Sequence, residues 1–256
     1  MTQELFDRNL RALRRDRAAR AGSDPFLLNR AFEECLDRLR DISRPFKRAL
    51  MLGCPSPDWP PQLRTIAHDV DVIDPGILFA ERASGLQAEE DRHDFGENQY
   101  DLCVAVGTLD TVNDVPLALQ LIGRSLRPDA PLIGAIAGGN SLPKLRASLI
   151  EAGRSTGRVV GRTHPRIEPA AMAQLLNAAG FAMPVVDVDR VRLRYENLDS
   201  LVRDLRSMAA TNILAQQPPI MSKAEALQAR MVFSALGHEG RTDETVEILH
   251  FIAWTK

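Results

Sequence analysis

Three groups of residues in this chain have types and spacing that could do chemistry. The run Leu50 to Trp59, "LMLGCPSPDW", carries a short apolar segment into Gly53 and Cys54. That is the form of a turn that lets backbone approach a nucleotide or cofactor, except that Pro55 and Pro57 stand where further glycines belong. The second group is acidic. Asp74 closes another apolar run and offers the paired acceptors that suit sugar hydroxyls, although Asp74-Pro75-Gly76 also reads as a plain turn. Glu89, Glu90 and Asp91 follow, in a stretch that is more often a solvated loop than a site, and Gly107 to Asp110 end a further apolar run. The third group is basic. Arg154, Arg158, Arg162, His164 and Arg166 form a strip after Gly153, and Arg190, Arg192 and Arg194 alternate so as to share one strand face. Such a strip docks an acidic partner or is simply solvated.

The elements that must position these residues follow from periodicity. "RALML", "VDVID", "YDLCVAV" and "APLIGAIAG" are short runs rich in branched residues, separated by helical or loop segments, and that alternation predicts parallel strands of a βαβ sheet. The helix "DVPLALQLIGRSL" has Asn113 and Asp114 as candidate caps and Pro116 in its first turn. Helices are expected near 141–152, 169–179 (stopped by Gly180), 198–210 and 222–236, with "PVVDVDRVRL" and "TVEILHFIAWTK" as a closing strand pair. The predicted fold is α/β, a doubly wound seven-stranded Rossmann-like sheet with an antiparallel edge. Ligands in such sheets bind at the carboxyl ends of the strands, where the turn, the acids and Gly107 fall. Two N-terminal helices precede the sheet, one with Leu5, Phe6, Leu10 and Leu13 as its apolar stripe and one over about 25–42. Residues 1–44 are expected to form a helical lid over the cofactor side of a single domain at 45–256.

Composition narrows the function. With 256 residues, 45% of them hydrophobic, the chain can bury a core unaided. Lys and Arg number 32 against 34 Asp and Glu, so the net charge of -2 gives no reason to expect nucleic acid. Cys35, Cys54 and Cys103 lack metal or disulfide spacing, so no metal site and a reducing compartment are expected, and without a secretory h-region the expected location is cytoplasmic. No run reaches the ~20 apolar residues of a transmembrane helix. None of the five histidines lies in a nucleophile elbow or an HExxH pattern, so no catalytic residue is assigned.

The order of "LGC" turn, acid after the second strand, "YDLCVAV", "LRPDAPLIGAI" and a C-terminal hairpin resembles the class I S-adenosylmethionine-dependent methyltransferases. More narrowly, "LFDRNL…RDRAA", "VNDVPLAL", "LRPDAPLIGAIAGGNSLPKLRASL", "PRIEPAAMAQLLNAAGF" and "LVRDLRSMAATN" resemble the methyltransferase-like assembly-factor family of respiratory complex I, similar in turn to the malonyl-carrier-protein methyltransferase of biotin synthesis. The resemblance implies S-adenosylmethionine as cofactor, with Gly53, Cys54, Asp74, Glu89, Glu90 and Gly107 at binding positions. It also implies a protein partner such as a complex I subunit, near Arg158, Arg162 and Arg166, and, in better-preserved relatives, hydroxylation of an arginine. This sequence departs from the family turn L-D-x-G-C-G-x-G at three places: Met51 replaces the acid, and Pro55 and Pro57 replace glycines. Asp110 and Thr111 stand for a family His-Trp pair. The expectation is a methyltransferase-like protein whose cofactor binding is weakened or lost. The alternative is a pseudoenzyme that acts by protein contact.

Overall fold

A computed structural model describes residues 4–22, 24–154 and 156–256. Residues 1–3 and Ser23, within the expected lid, and Ser155, within the basic segment, lie outside the described residues. One sheet contains seven strands: β1 (Phe46–Leu52), β2 (Ala67–Asp74), β3 (Leu86–Gln87), β4 (Leu102–Val106), β5 (Pro131–Ala137), β6 (Ala182–Tyr195) and β7 (Thr242–Trp254). Their spatial order is β3-β2-β1-β4-β5-β7-β6, with the first five parallel and β7 antiparallel to both β5 and β6. The doubly wound sheet with a closing strand pair is as the sequence predicts, although α8 and α9 separate the two strands so that they are not a hairpin. Parallel strands covered on both faces must be apolar along their whole length, and all five residues of β4 are buried.

Helices α1 (Arg8–Arg20) and α2 (Phe26–Arg40) precede the sheet, α3 (Trp59–Leu63) follows β1 and α4 (Ile77–Arg82) follows β2. Then come α5 (Val115–Ser125), α6 (Pro143–Arg154), α7 (Pro169–Ala178), α8 (Leu198–Ser207) and α9 (Lys223–Ala235). The Asp114 side chain caps α5 by accepting from the Leu117 N–H, as its position implies, and Gly180 (φ +96°) ends α7. Two apolar cores flank the sheet. The one under α2 holds Met51, Trp59, Leu36 and Phe233, and the opposite one, under α5 and α7, holds Leu50, Leu52, Leu119 and Phe251. Met51, at the place of the family acid, is wholly buried in the first core.

The Leu stripe expected on α1 is not the buried face. Leu5 and Leu13 are exposed, and Phe6 alone of that stripe is fully buried. What α1 buries instead is Arg11, Arg15, Ala18 and Ala19. The reason is electrostatic: this helix lies against acids at the strand ends, so its cationic face turns inward and its leucines outward.

Candidate functional site

The carboxyl ends of β1, β2 and β4 bring together the turn, Asp74 and the acidic segment. Gly53 has φ +79°, and a Cβ there would lie 2.2 Å from Thr108 Cγ2 and 3.0 Å from the Val106 carbonyl. Packing of β1 against β4 therefore demands glycine at 53 whatever binds. The Gly53 N–H donates to the Ile73 carbonyl (2.8 Å) and the Cys54 N–H to Asp74 Oδ2 (2.8 Å). Pro55 and Pro57 have no N–H to offer. Downstream, Trp59 stacks on Phe32 of α2 (4.4 Å between centroids, 10°) and donates its indole N–H to Asn29. The proline turn is thus bound into α2.

Asp74 is fully buried and has four donors of its own. Arg15 Nε donates to Oδ1 (2.7 Å) and Arg15 Nη2 to Oδ2 (2.5 Å), and the backbone N–H groups of Cys54 and Gly76 supply the other two (2.8 and 2.7 Å). The Asp74-Pro75-Gly76 turn exists, but it is only half of what this carboxylate does. Glu90, equally buried, accepts from Arg11 Nη1 and Nη2 (2.7 and 3.0 Å). Arg11 also donates to Glu89 Oε2 (2.8 Å), the Thr108 carbonyl (2.9 Å) and Thr111 Oγ1 (3.1 Å). Asp91 pairs bidentately with Arg8 (2.6 and 2.7 Å). The solvated-loop alternative for 89–91 is therefore overturned: Glu90 and Asp91 are buried because two arginines of α1, Arg8 and Arg11, neutralise the segment. Burial pulls the Arg11 pKa down, yet Glu90 and Glu89 outweigh it and hold the guanidinium above its ordinary value. Likewise Arg8, rather than burial, decides that Asp91 sits below the usual carboxylate range.

These contacts test whether the residues fit an adenosyl cofactor. The ribose acid is filled by Arg15, and the adenine-side acids by Arg11 and Arg8. Gly107 (φ +66°) is approached by Leu28 of α2, whose Cδ2 would be 2.6 Å from an added Cβ. The cavity beside Arg11, Arg15 and Gly107 measures ≈ 110 Å³, below the ~300–1,000 Å³ usual for a cofactor site. In this arrangement the residues do not fit S-adenosylmethionine, and no reaction step is derived through it.

That cavity lies at the ends of β4 and β5, and its polar lining differs from the acids just described. Asp110 Oδ1 is buried without a hydrogen-bond partner, and burial raises its pKa against the pull of Arg166. Arg166 also lines the cavity, and burial lowers the pKa of its guanidinium. The two charges face one space without forming an ion pair among the described residues. His164 completes the wall. Its Nε2 accepts from the Ile213 N–H (2.9 Å), and burial pushes its pKa down to about 4, so the ring is neutral at pH 7. Through Leu142, His164, Arg166 and Leu205 the cavity continues into a groove of ≈ 290 Å³ between α6, α8 and α9.

The expected basic strip is split. Arg158 pairs with buried Glu225 (3.1 Å), Arg162 donates to the Pro219 carbonyl at the groove rim, and Arg166 points into the cavity. The three do not share one outward face, because Glu225, which caps α9 through Ser222, claims Arg158 for the fold. Arg190, Arg192 and Arg194 do lie on an exposed strand face. Sequence reading missed Arg8, Arg11 and Arg15; their i, i+3, i+7 spacing opposite a cluster of acids was the available signal. It placed His164 only in the basic strip and Asp110 only at the end of a strand, where the family has a His-Trp pair, and did not bring the two together. The three cysteines are buried and free, and burial pushes the Cys35 and Cys54 thiols up to about 12. Among the described residues no cluster could hold a metal ion, and no helix is long and apolar enough to cross a membrane.

No protein-family model matches the chain. Among curated proteins it is 32% identical, over 275 residues, to "Arginine-hydroxylase NDUFAF5, mitochondrial" of Mus musculus, covering 98% of this chain and 77% of that protein. It is 29% identical over 180 residues to malonyl-[acyl-carrier protein] O-methyltransferase of Laribacter hongkongensis, covering 69% and 58%. Among solved structures, the N-methyltransferase NodS of Bradyrhizobium japonicum, in complex with S-adenosyl-L-homocysteine, superposes with a TM-score of 0.53 at 16% identity, covering 97% of this chain and 99% of that one.

Proposed function

Because this chain belongs to the NDUFAF5 family, within the class I methyltransferase superfamily, we propose that it is an assembly-factor-type protein that works on or through a respiratory complex I subunit and binds S-adenosylmethionine weakly or not at all. The observation that carries the cofactor half of this reading is the pairing of Asp74 with Arg15 and of Glu90 with Arg11, which together with the Cys54 and Gly76 N–H groups fills the acceptor sites of Asp74. The prolines of the turn act in the same direction, since each removes a backbone donor at ~1–3 kcal/mol of lost interaction. Calorimetric titration with S-adenosylmethionine tests it. A micromolar or tighter Kd sinks the weak-cofactor reading. The partner half is tested by affinity capture of the tagged chain from cells that make it, followed by mass spectrometry. Complex I subunits enriched over a control support it, and their absence at every stage of assembly refutes it.

One observation favours a version that takes up an arginine of the partner over a purely scaffolding one. Among the described residues Asp110 Oδ1 is a buried acceptor without a partner, in a cavity continuous with a groove of ≈ 290 Å³. A guanidinium satisfies such a carboxylate with two parallel hydrogen bonds, and the curated relatives are named for arginine hydroxylation. Peptide mass mapping of captured subunits decides between the versions. A +16 Da arginine lost in an Asp110→Asn strain means chemistry, and an arginine unaltered in wild type means scaffolding.

A further inference from the structure

The side of the cleft where the resemblance places a nucleoside holds part of this chain itself. Arg8, Arg11 and Arg15 lie at i, i+3 and i+7 on one face of α1, so that a single helix delivers three guanidinium groups to Asp91, Glu90 and Asp74 in order along the strand ends. Each pairing is bidentate, with distances of 2.5–3.0 Å, and Asp74 and Glu90 have essentially no exposure. The fit extends to the backbone. A Cβ on Gly76 would stand 2.6 Å from Arg15 Cβ, so glycine at 76 is what lets α1 come this close, and Asp16 of α1 accepts from the Leu78 N–H in the first turn of α4. The Arg15 guanidinium also lies over the Phe79 ring at 5.3 Å. A helix that merely shielded a cleft would leave the acids free to accept from a ligand. This one uses their acceptors.

We propose that α1 is the resident occupant of the nucleoside side of the cleft, and that docking of α1 and binding of an adenosyl ligand are mutually exclusive. The inference deepens the weak-cofactor reading above by assigning the exclusion to the arginine row, separately from the proline turn. A carboxylate whose lone pairs are spent on Arg15, Cys54 and Gly76 has none for ribose hydroxyls. The ligand and Arg15 therefore compete for the same oxygens.

The test is a two-by-two comparison titrating S-adenosylhomocysteine into four full-length chains: wild type, Arg15→Met, Pro55→Gly with Pro57→Gly, and the combination. Methionine keeps an apolar stem over Phe79, and Asp74 retains its two backbone donors, so the variant keeps the fold, which far-UV circular dichroism checks. Should it not fold, Arg8→Met, at the more exposed end of the row, replaces it in both backgrounds. The expected result is that removing the arginine raises affinity at least tenfold in one or both turn backgrounds. Equal affinity with and without it in both backgrounds overturns the proposal. A gain from the glycine substitutions alone also overturns it, while leaving the weak-cofactor reading intact. A wild-type Kd in the micromolar range with no gain in any variant overturns both. Hydrogen exchange along Leu10 to Ala19 supplies the second readout for any chain that binds. Ligand-induced loss of protection supports exclusion, and protection retained with the ligand bound refutes it.

Discussion

Two polar regions at the same edge of the sheet have opposite local chemistry. At the ends of β1 and β2, every carboxylate that a nucleoside would use already has its partners, four for Asp74 and two Nη donors for Glu90. One strand further on, at the ends of β4 and β5, Asp110 keeps a buried oxygen and Arg166 a guanidinium facing the same space, neither with a hydrogen-bond or ion-pair partner among the described residues. A buried polar group without partners costs stability, and sites where that cost persists are where a ligand or partner makes up the missing bonds. The first region commits its carboxylates to the fold. The second, in the function proposed above, is where a partner's donors would go.

The largest test of that contrast is Asp74→Ala, which leaves the buried Arg15 guanidinium without its counter-charge. It should cost ~3–5 kcal/mol by urea denaturation, and a loss under 1 kcal/mol would erase the distinction between the regions. Asp110→Asn should do the reverse, leaving stability unchanged or raising it by up to ~1 kcal/mol, because burial penalises this carboxylate in its charged form. The sign follows from its raised folded pKa: ionisation costs the folded state more, so the gain should be present at pH 7 and vanish as the pH falls below the ordinary carboxylate value.

Acid should then act through two depressed groups. His164 titrates at about 4 in the fold against an ordinary value of 6.5, so stability present above pH 6.5 is lost as pH falls towards 4. The Glu225 carboxyl is held down to about 2 by the Ser222 backbone N–H, Thr156 and Arg158, so its contribution is lost between pH 4.5 and 2. Denaturation midpoints across this range should fall in two stages, the first flattened in His164→Phe and the second in Glu225→Gln. The smallest expected effect is Arg162→Glu at the groove rim, within ~0.5 kcal/mol of wild type, with any loss of captured partner marking that rim as a contact.

The strands were legible because parallel strands buried on both faces spell themselves as branched apolar runs, as in "YDLCVAV" and "APLIGAIAG". The two-residue β3 and the short α3 and α4 lack the length for any period to show. The candidate site was half legible. Asp74 and Glu90 were found as carboxylates in the right places, but what they bind was not, since arginines at helical spacing normally spell a solvated face. Only the acids' burial reverses that meaning. The strip at 158–166 failed for a related reason: one buried glutamate, 59 residues beyond Arg166, decides where Arg158 points, and no local pattern announces it.

The seam that holds α1 at its start also forms a wall of the cavity. Phe6 bridges to Leu214 in antiparallel fashion, the Asp7 N–H donates to the Ile213 carbonyl, and the Ile213 N–H donates to His164, whose ring meets Phe6 edge-on at 5.2 Å. Withdrawing α1 from its acids therefore strains the backbone that sets His164, and reshaping the cavity around His164 strains the mooring of α1. In thermodynamic terms the two regions share a coupling free energy, and it is reciprocal: whatever binds beside His164 with a preference between the two arrangements shifts the docking equilibrium of α1 by the same factor that α1 shifts its affinity.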